Sequence, residues 1–436
     1  MQEIKVGLLG FGTIGTGVVK VFQQNAKLLQ DKLGASLVLA KIADLDITTE
    51  RGVIVDDGVL TTDAHSVIDD PDIPIIIELI GGYEPARSFV LRAIGNGKHV
   101  ITANKALLAL HGEEIFQAAD TNGVEVLFEA AVGGGIPIIS PIKESLGANR
   151  FQSVLGILNG TCNFILTKMT EEGDEFSTVL EEAQEMGYAE ADPTFDIEGV
   201  DTAHKLAVLT SLCFGTRVKF KEIYTEGISD ISAMDIEFAK QFGYKIKLLA
   251  ISKVNNGAIE ARVHPTMIPF DYPLADVDGV FNAVRLEGDF VGSVVLQGPG
   301  AGMNATASAV MGDVMSVCRN LLAGIQVRTP SLGFLAPSIG DIPIKPMDEL
   351  VGQYYLRFAA LDKPGVLAQI AGILGKHHIS IASMIQPERL LGEVVPIVIM
   401  THEAQEANVR QALEEIDNIY VIKGKSRLIR IEEAVG

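Results

Sequence analysis

Apolar residues in the first third of the chain come in short runs that alternate with stretches of helical period. Residues 4–9, 37–43, 73–79, 99–102 and 124–128 read as buried strands, and the pieces between them carry apolar positions three and four apart. Strands covered on both faces require continuous runs of this kind, so the pattern predicts a parallel sheet wound with helices, an α/β Rossmann-type nucleotide fold. Beyond Gly135 the texture changes. Helices are expected at about 163–172, 176–186 and 201–213, followed by alternating strands around 246–254, 259–264, 282–286 and 291–296. Asn255-Asn256-Gly257 and Glu287-Gly288-Asp289 are the turn signals between them, which makes the second region α+β. Residues 332–345 hold Pro337 and Pro343 among Gly and Ser, as a linker would. After it, residues 354–361, 365–376, 379–386, 394–401, 403–415 and 420–431 read strand, helix, strand, strand, helix, strand. This is the βαββαβ order of a ferredoxin-like module.

Composition narrows the function. The 436 residues suffice for two to four domains, and 47% hydrophobic with 21% charged excludes wholesale disorder. The net charge of −21, without a local basic patch, is repelled by nucleic-acid phosphates and anionic lipid, so no nucleic-acid or membrane partner is expected. Three scattered cysteines, with no CxxC pair, speak against a disulfide framework and a zinc ribbon and suit a reducing cytoplasm. The apolar run at residues 6–9 is too short for a signal peptide, and no uncharged apolar run reaches membrane-spanning length.

Gly10-Phe11-Gly12-Thr13-Ile14-Gly15 follows the first strand and opens a helical run, the context a dinucleotide fingerprint requires. Its glycines permit the turn and bring a pyrophosphate onto a helix N-terminus; the bland alternative is a turn packed for structure alone. At the end of the second strand an acidic residue suits the ribose of NAD and a basic one the 2′-phosphate of NADP. Lys41 favours NADP, and Asp44 keeps NAD open. Lys105, in Thr102-Ala103-Asn104-Lys105, ends a strand of the same sheet and is placed for cofactor or substrate, unless it is an ordinary solvated lysine.

The densest polar cluster runs from Gly187 through Glu190, Asp192, Asp196 and Glu198 to Asp201, His204 and Lys205. Asp201 and Lys205 are four apart on one helix, so the carboxylate can orient an ammonium able to exchange a proton with an alcohol oxygen. A surface ion pair of little consequence has the same spacing. The acidic loop can bind the ammonium of an amino-acid substrate, or merely face solvent or cap a helix. Cys162 invites a thioester mechanism, against a packed thiol with no neighbouring histidine. Glu129 with the turn Gly133–Gly135 can ring a cation with oxygens or act as a hinge. Gly298–Gly302 opens a late helix at about 304–321 that offers a second N-terminus to the cofactor, or only a turn. His264, His377 and His378 lack metal-ligand spacing.

Taken together, the chain resembles the homoserine dehydrogenases that carry a C-terminal ACT domain. The resemblance spans nearly its whole length and rests on GFGTIG, TANKALL, EAAVGGGIPII, GILNGTCNFIL, GYAEADPTFDIEGVDTAHKLAVL, GPGAGMNATASAV and LDKPGVLAQIAGIL in that order. It implies reversible NAD(P)-dependent reduction of aspartate 4-semialdehyde to homoserine, a step towards threonine and methionine. By matching position it implies Lys205 as the catalytic lysine and Lys105 as a second near cofactor and substrate. Glu190, Asp196 and Asp201 match substrate-binding carboxylates. Gly10, Phe11, Gly12, Thr13, Ile14 and Gly15 match dinucleotide contacts, with Gly187 and Gly302 also lining it. Glu129, Val132, Gly134 and Ile136 match a monovalent cation site, for sodium, built from a carboxylate and main-chain carbonyls. In many such relatives a basic residue within the second strand recognises the NADP phosphate; here Ala40 and Lys41 straddle that place.

The resemblance further implies an NAD(P)-binding domain over residues 1–135 plus about 299–325, a catalytic and dimerisation domain over 136–298, a linker over 326–350 and an ACT regulatory domain over 351–436. It implies a homodimer or homotetramer, expected in the cytoplasm; the ACT domain is expected either to bind a feedback amino-acid effector near Asp362–Val366, where a strand meets a helix, or only to mediate assembly. Two other functions fit parts of the sequence. One is a thiol-dependent semialdehyde dehydrogenase using Cys162; the other is a non-catalytic sensor of NAD(P) and amino acids.

Overall fold

The five apolar runs of the first third become strands of a parallel sheet, which the short, unforeseen Leu60–Thr61 joins: β1 (Glu3–Leu9), β2 (Ser36–Ala43), β3 (Leu60–Thr61), β4 (Ile75–Glu78), β5 (His99–Thr102) and β6 (Val126–Leu127). The structure, a computed structural model, describes residues 2–386 and 393–433. The strand order is β3-β2-β1-β4-β5-β6, so the chain builds outward from β1 in one direction and then crosses to the other side of it. That reversal leaves a crevice beyond the carboxyl ends of β1 and β4, where doubly wound sheets bind ligands.

Val6, Leu8, Ile75, Ile77 and Ile101 of this sheet share one core with Val18, Val19 and Phe22 of helix Thr13–Gln24. Ala307, Val310, Met311 and Val314 of helix Met303–Leu322 enter the same core, so a helix distant in sequence covers the nucleotide sheet. Its apolar positions recur three and four apart, as one buried stripe demands.

The chain divides into two compact units, the first comprising Met1–Gly160, Asp201–Ile223 and Val280–Ile342. Besides the parallel sheet this unit holds an antiparallel set, with Phe281–Gly288 pairing Phe151–Ile157 on one side and Gly292–Pro299 on the other.

The second unit contains the hairpin Tyr244–Asn255/Ala258–Pro269, turned by Asn256 and Gly257, whose φ values of 50° and 79° are the left-handed pair that a two-residue hairpin needs. It also contains the βαββαβ module: strands Val351–Leu361, Ile381–Ile385, Val394–Thr401 and Arg427–Ile431, with helices Val366–Lys376 and Glu406–Asp417. The strands lie in the order second, third, first, fourth, as in a ferredoxin-like sheet. Residues 387–392 and 434–436 of the expected ACT span lie outside the described residues. The fourth strand starts at Arg427, later than the expected 420. Val421 and Ile422 owe their apolar character to burial in the module's core, where Ile422 makes only an isolated bridge to Ala360.

Residues 326–350 do not hang free. Gly340 exchanges backbone hydrogen bonds with Gly215 and Arg217 in the first unit, and Pro343 and Lys345 bond Ile259 in the second.

Within the second unit, helix Ala233–Gln241 is tied to strand Val351–Leu361 by one buried carboxylate. Asp235, fully buried, accepts Arg357 Nε at 2.6 Å and an Arg357 terminal nitrogen at 2.9 Å, and Tyr355 donates its hydroxyl at 3.0 Å. Burial pushes the Asp235 carboxyl up, but the hydrogen bonds and charge of Arg357 outweigh it and leave the group below its ordinary value. A depressed carboxyl contributes stability above the unfolded-state pKa, about 3.9, and loses it as pH falls through the folded-state value. Asp235→Ala should therefore destabilise this unit by about 3–5 kcal/mol at neutral pH. Urea-unfolding midpoints at pH 7 and pH 3 check this: the gap between wild type and variant should be wide at pH 7 and narrower at pH 3, and equal midpoints at pH 7 would refute the role.

Candidate active site

The glycine fingerprint lies at the carboxyl end of β1. Gly10 has φ 96°, and a Cβ there would come within 2.6 Å of the Leu79 carbonyl oxygen after β4. A Cβ on Gly15 would approach the Gly10 carbonyl to 2.3 Å, so the turn closes only with both glycines in place. Gly12 is the N-cap of helix Thr13–Gln24, and no side chain caps that end. Gly12 and Thr13 are exposed, Ile14 is half-buried, and Phe11 packs into the core. An uncapped helix N-terminus at the sheet's crevice fits a dinucleotide pyrophosphate. Gly302 caps helix Met303–Leu322, whose first residue lies against Gly17 of the fingerprint helix, where a Cβ would meet Met303 at 2.8 Å.

Along the same carboxyl edge, β4 and β5 end in a fixed polar layer. Thr102 donates to Glu78 at 2.6 Å, and Glu78 accepts the N–H groups of Ile80 and Gly81. Asn104 caps the next helix through Leu107 N, which starts helix Lys105–Asn122 with Lys105 as its first residue.

Lys105 meets Asp201 of helix Val200–Phe214, within the first unit. Its ammonium lies 2.7 Å from Asp201 Oδ1, while Lys205 donates to Asp201 Oδ2 at 2.7 Å and to the Leu158 carbonyl at 2.6 Å. Asn159 donates its side-chain amide to the same Asp201 oxygen at 3.0 Å. The side chains of Asp201, Lys205 and Lys105 are 3%, 10% and 34% exposed, which excludes the solvated surface pair that the four-residue spacing also allowed. Burial acts to raise the Asp201 carboxyl. The charges of Lys205 and Lys105, with hydrogen bonds from both, outweigh it and hold the group well below the usual carboxylate range. Two ammoniums on one carboxylate leave the cluster with a net positive charge, suited to an oxyanion or a carboxylate.

The sequence marks residues 159–163 as the end of an apolar strand and the start of a helix, but gives neither Asn159 nor the Leu158 carbonyl a role at the site. The strand Phe151–Ile157 and the helix Gly160–Glu172 lie on either side of the two residues.

Other expected residues fall elsewhere. Glu190, Asp196 and Gly187 belong to the second unit, in the segment that precedes helix Val200–Phe214. Glu190 is exposed, and Asp196 is half-buried on the short helix Thr194–Ile197. Cys162 is buried with its thiol 3.2 Å from the Asp196 carbonyl oxygen, the setting of a packed thiol.

Two expectations need correction. Lys41 is bound to Asp70 at 2.9 Å and to the Ser66 carbonyl at 3.0 Å, in the segment ahead of the start of β4. That is the sheet's amino edge, so its ammonium is drawn away from the fingerprint and does not support NADP. The Glu129 carboxylate, offered as a cation ligand, accepts the backbone N–H groups of Ile138, Ile139 and Ser140 at 2.6–2.8 Å. It organises the glycine turn instead. Asp313, buried, accepts the N–H of Glu129, and its carboxyl is pushed up to about 8 by burial and the nearby Glu129 charge. Among the described residues no group of three or more His, Cys, Asp or Glu is arranged to hold a metal, and no helix is long and apolar enough to cross a membrane.

Family models described as "Homoserine dehydrogenase, NAD binding domain", "Homoserine dehydrogenase" and "ACT domain" match residues 10–129, 137–315 and 354–419. The chain is 45% identical over 436 residues to a homoserine dehydrogenase of Pseudomonas aeruginosa, covering 99% of this chain and 100% of that protein. Among solved structures it is similar to a homoserine dehydrogenase from Thiobacillus denitrificans, with TM-score 0.92, 46% identity and 99% of each chain covered. It is also similar to a hyperthermophilic archaeal homoserine dehydrogenase in complex with NADPH, with TM-score 0.63, 26% identity, and 75% of this chain and 100% of that chain covered.

Proposed function

The chain belongs to the homoserine dehydrogenase family, and from that premise we propose which of its residues carry the reaction. The reaction is the NAD(P)-dependent interconversion of aspartate semialdehyde and homoserine, a step of threonine and methionine biosynthesis. When bound, the nicotinamide supplies the hydride to the aldehyde carbon. Lys205 donates the proton to the oxygen on which alkoxide charge develops, and takes it back in the oxidative direction. Asp201 orients Lys205 and keeps its positive charge balanced, and Lys105 adds a second positive charge towards coenzyme and substrate. Glu190 receives the substrate ammonium, with Asp196 contributing. The observation that carries this reading is the buried carboxylate of Asp201 held 2.7 Å from both ammoniums.

Gly10 to Gly15 cradle the dinucleotide, with Gly187 and Gly302 along it. A sodium-type monovalent cation is held by the main-chain oxygens of Glu129, Val132, Gly134 and Ile136, the Glu129 carboxylate bracing the turn. In this reading residues 1–135 with about 299–325 bind NAD(P), 136–298 carry catalysis and dimerisation, 326–350 connect, and 351–436 regulate. The enzyme works in the cytoplasm as a homodimer or homotetramer, and an amino-acid effector binds the ACT module near Asp362–Val366. The exposed Phe290 and Val295 beside and on the edge strand Gly292–Pro299 support assembly through that sheet.

Lys205→Ala should lower kcat by roughly 10²–10⁴, the usual weight of a general acid, with coenzyme Kd nearly unchanged. Near-normal turnover would remove Lys205 from proton transfer. Asp201→Asn leaves two ammoniums without their counter-charge, so the pKa of the donor should fall. The alkaline limb of the pH–kcat profile for aldehyde reduction should move down by about one unit or more; an unmoved limb would mean that Asp201 does not govern the donor. Cys162→Ala should retain most of the turnover, whereas its abolition would revive the thiol mechanism.

A further inference from the structure

We propose that this enzyme prefers NAD to NADP and that Asp44 makes the choice; the proposal rests on the reading of residues 10–15 as the dinucleotide cradle. Asp44 directly follows β2, the place in a doubly wound sheet that meets the adenosine ribose. Its carboxylate is fixed there from two sides: Oδ2 accepts the Phe11 N–H of the fingerprint turn at 2.5 Å, and Oδ1 accepts the Asp46 N–H at 2.9 Å. Each carboxylate oxygen keeps a further lone pair, so the group can still accept the two ribose hydroxyls.

The neighbouring cations are already engaged by acceptors of this chain. Arg51 donates to the Thr49 carbonyl at 2.8 Å and to the Asp46 carbonyl at 2.7 Å. Its guanidinium lies 3.3 Å from the Asp46 carboxylate, 3.9 Å from that of Asp44 and 4.8 Å from the Phe11 ring centroid, with its side chain only 14% exposed. Two carboxylates against one guanidinium leave this corner net negative. Lys41, the basic residue within β2, is committed to Asp70 at the opposite edge. A 2′-phosphate would therefore bring a dianion against Asp44, while a 2′-hydroxyl brings a donor that the carboxylate can use.

Initial rates of homoserine oxidation, run with each coenzyme on the full-length enzyme, give kcat/KM for NAD and for NADP. Equilibrium binding of each coenzyme by calorimetry gives the same comparison without turnover. The expected preference for NAD is about tenfold or more in both measurements. Asp44→Asn keeps the shape and the acceptor for Phe11 N–H but removes the charge. It should weaken NAD about tenfold and strengthen NADP, in calorimetric Kd as in kcat/KM. Asp44→Ser repeats the comparison with a smaller group. Preferential binding of NADP by the wild type, or an unchanged coenzyme ratio in Asp44→Asn, overturns the proposal. If neither coenzyme supported homoserine oxidation, the dehydrogenase reading would fail, and the calorimetric ratio would still decide the coenzyme question.

Discussion

A carboxylate buried between two ammonium groups is the constraint on which this active site depends. An isolated ionised Asp201 at 3% exposure would cost several kcal/mol, and Lys205, almost as buried, has the same difficulty with the opposite sign. Each solves the other's problem, and Lys105 completes the set from a different part of the chain. Three segments have to arrive together. Helix Val200–Phe214 presents Asp201 and Lys205 one turn apart, β5 delivers Lys105 at the sheet's carboxyl edge, and the strand Phe151–Ile157 ends where the Leu158 carbonyl and Asn159 complete the hydrogen bonding. Apolar residues of similar volume would serve stability as well or better, so the worth of the triad lies in its chemistry.

Much of this architecture was legible in the order of residues. Apolar runs and a glycine turn marked the parallel sheet, and Asn256-Gly257 marked a separate hairpin in the second unit, because burial on two faces and positive φ each demand particular residue types. Short elements were harder. The two-residue strands Leu60–Thr61 and Ala404–Gln405 carry too few positions to show a period, and Val421 and Ile422 are apolar because they are buried, not because they are extended. The strongly amphipathic helix Ala26–Leu33, beginning right after the fingerprint helix, was not separately foreseen.

At the site, residue type was read well and direction was not. The four-residue spacing of Asp201 and Lys205 is the same in a solvated pair and a buried one; what separates them is the covering of that helix by distant residues, which spacing does not encode. Lys41 was judged by its strand, yet a long flexible side chain follows the nearest carboxylate, and Asp70 stands at the amino edge. Glu129 had a cation ligand's chemistry, but three backbone N–H groups of its own turn reached its oxygens. For Lys41 the competing partner lay within the same unit but outside the local motif, whereas for Glu129 it lay at the end of its own motif.

Because the proton-donating ammonium is fixed by Asp201 before any substrate arrives, the account commits to where the reacting oxygen must sit. A crystal structure of the enzyme with NAD and homoserine bound tests that commitment most directly. The account predicts the homoserine hydroxyl oxygen at hydrogen-bonding distance, about 3 Å, from Lys205 Nζ, with the Asp201 contacts to both lysines retained. A ternary complex in which that oxygen bonds other groups and Lys205 takes no part in holding it would contradict the account.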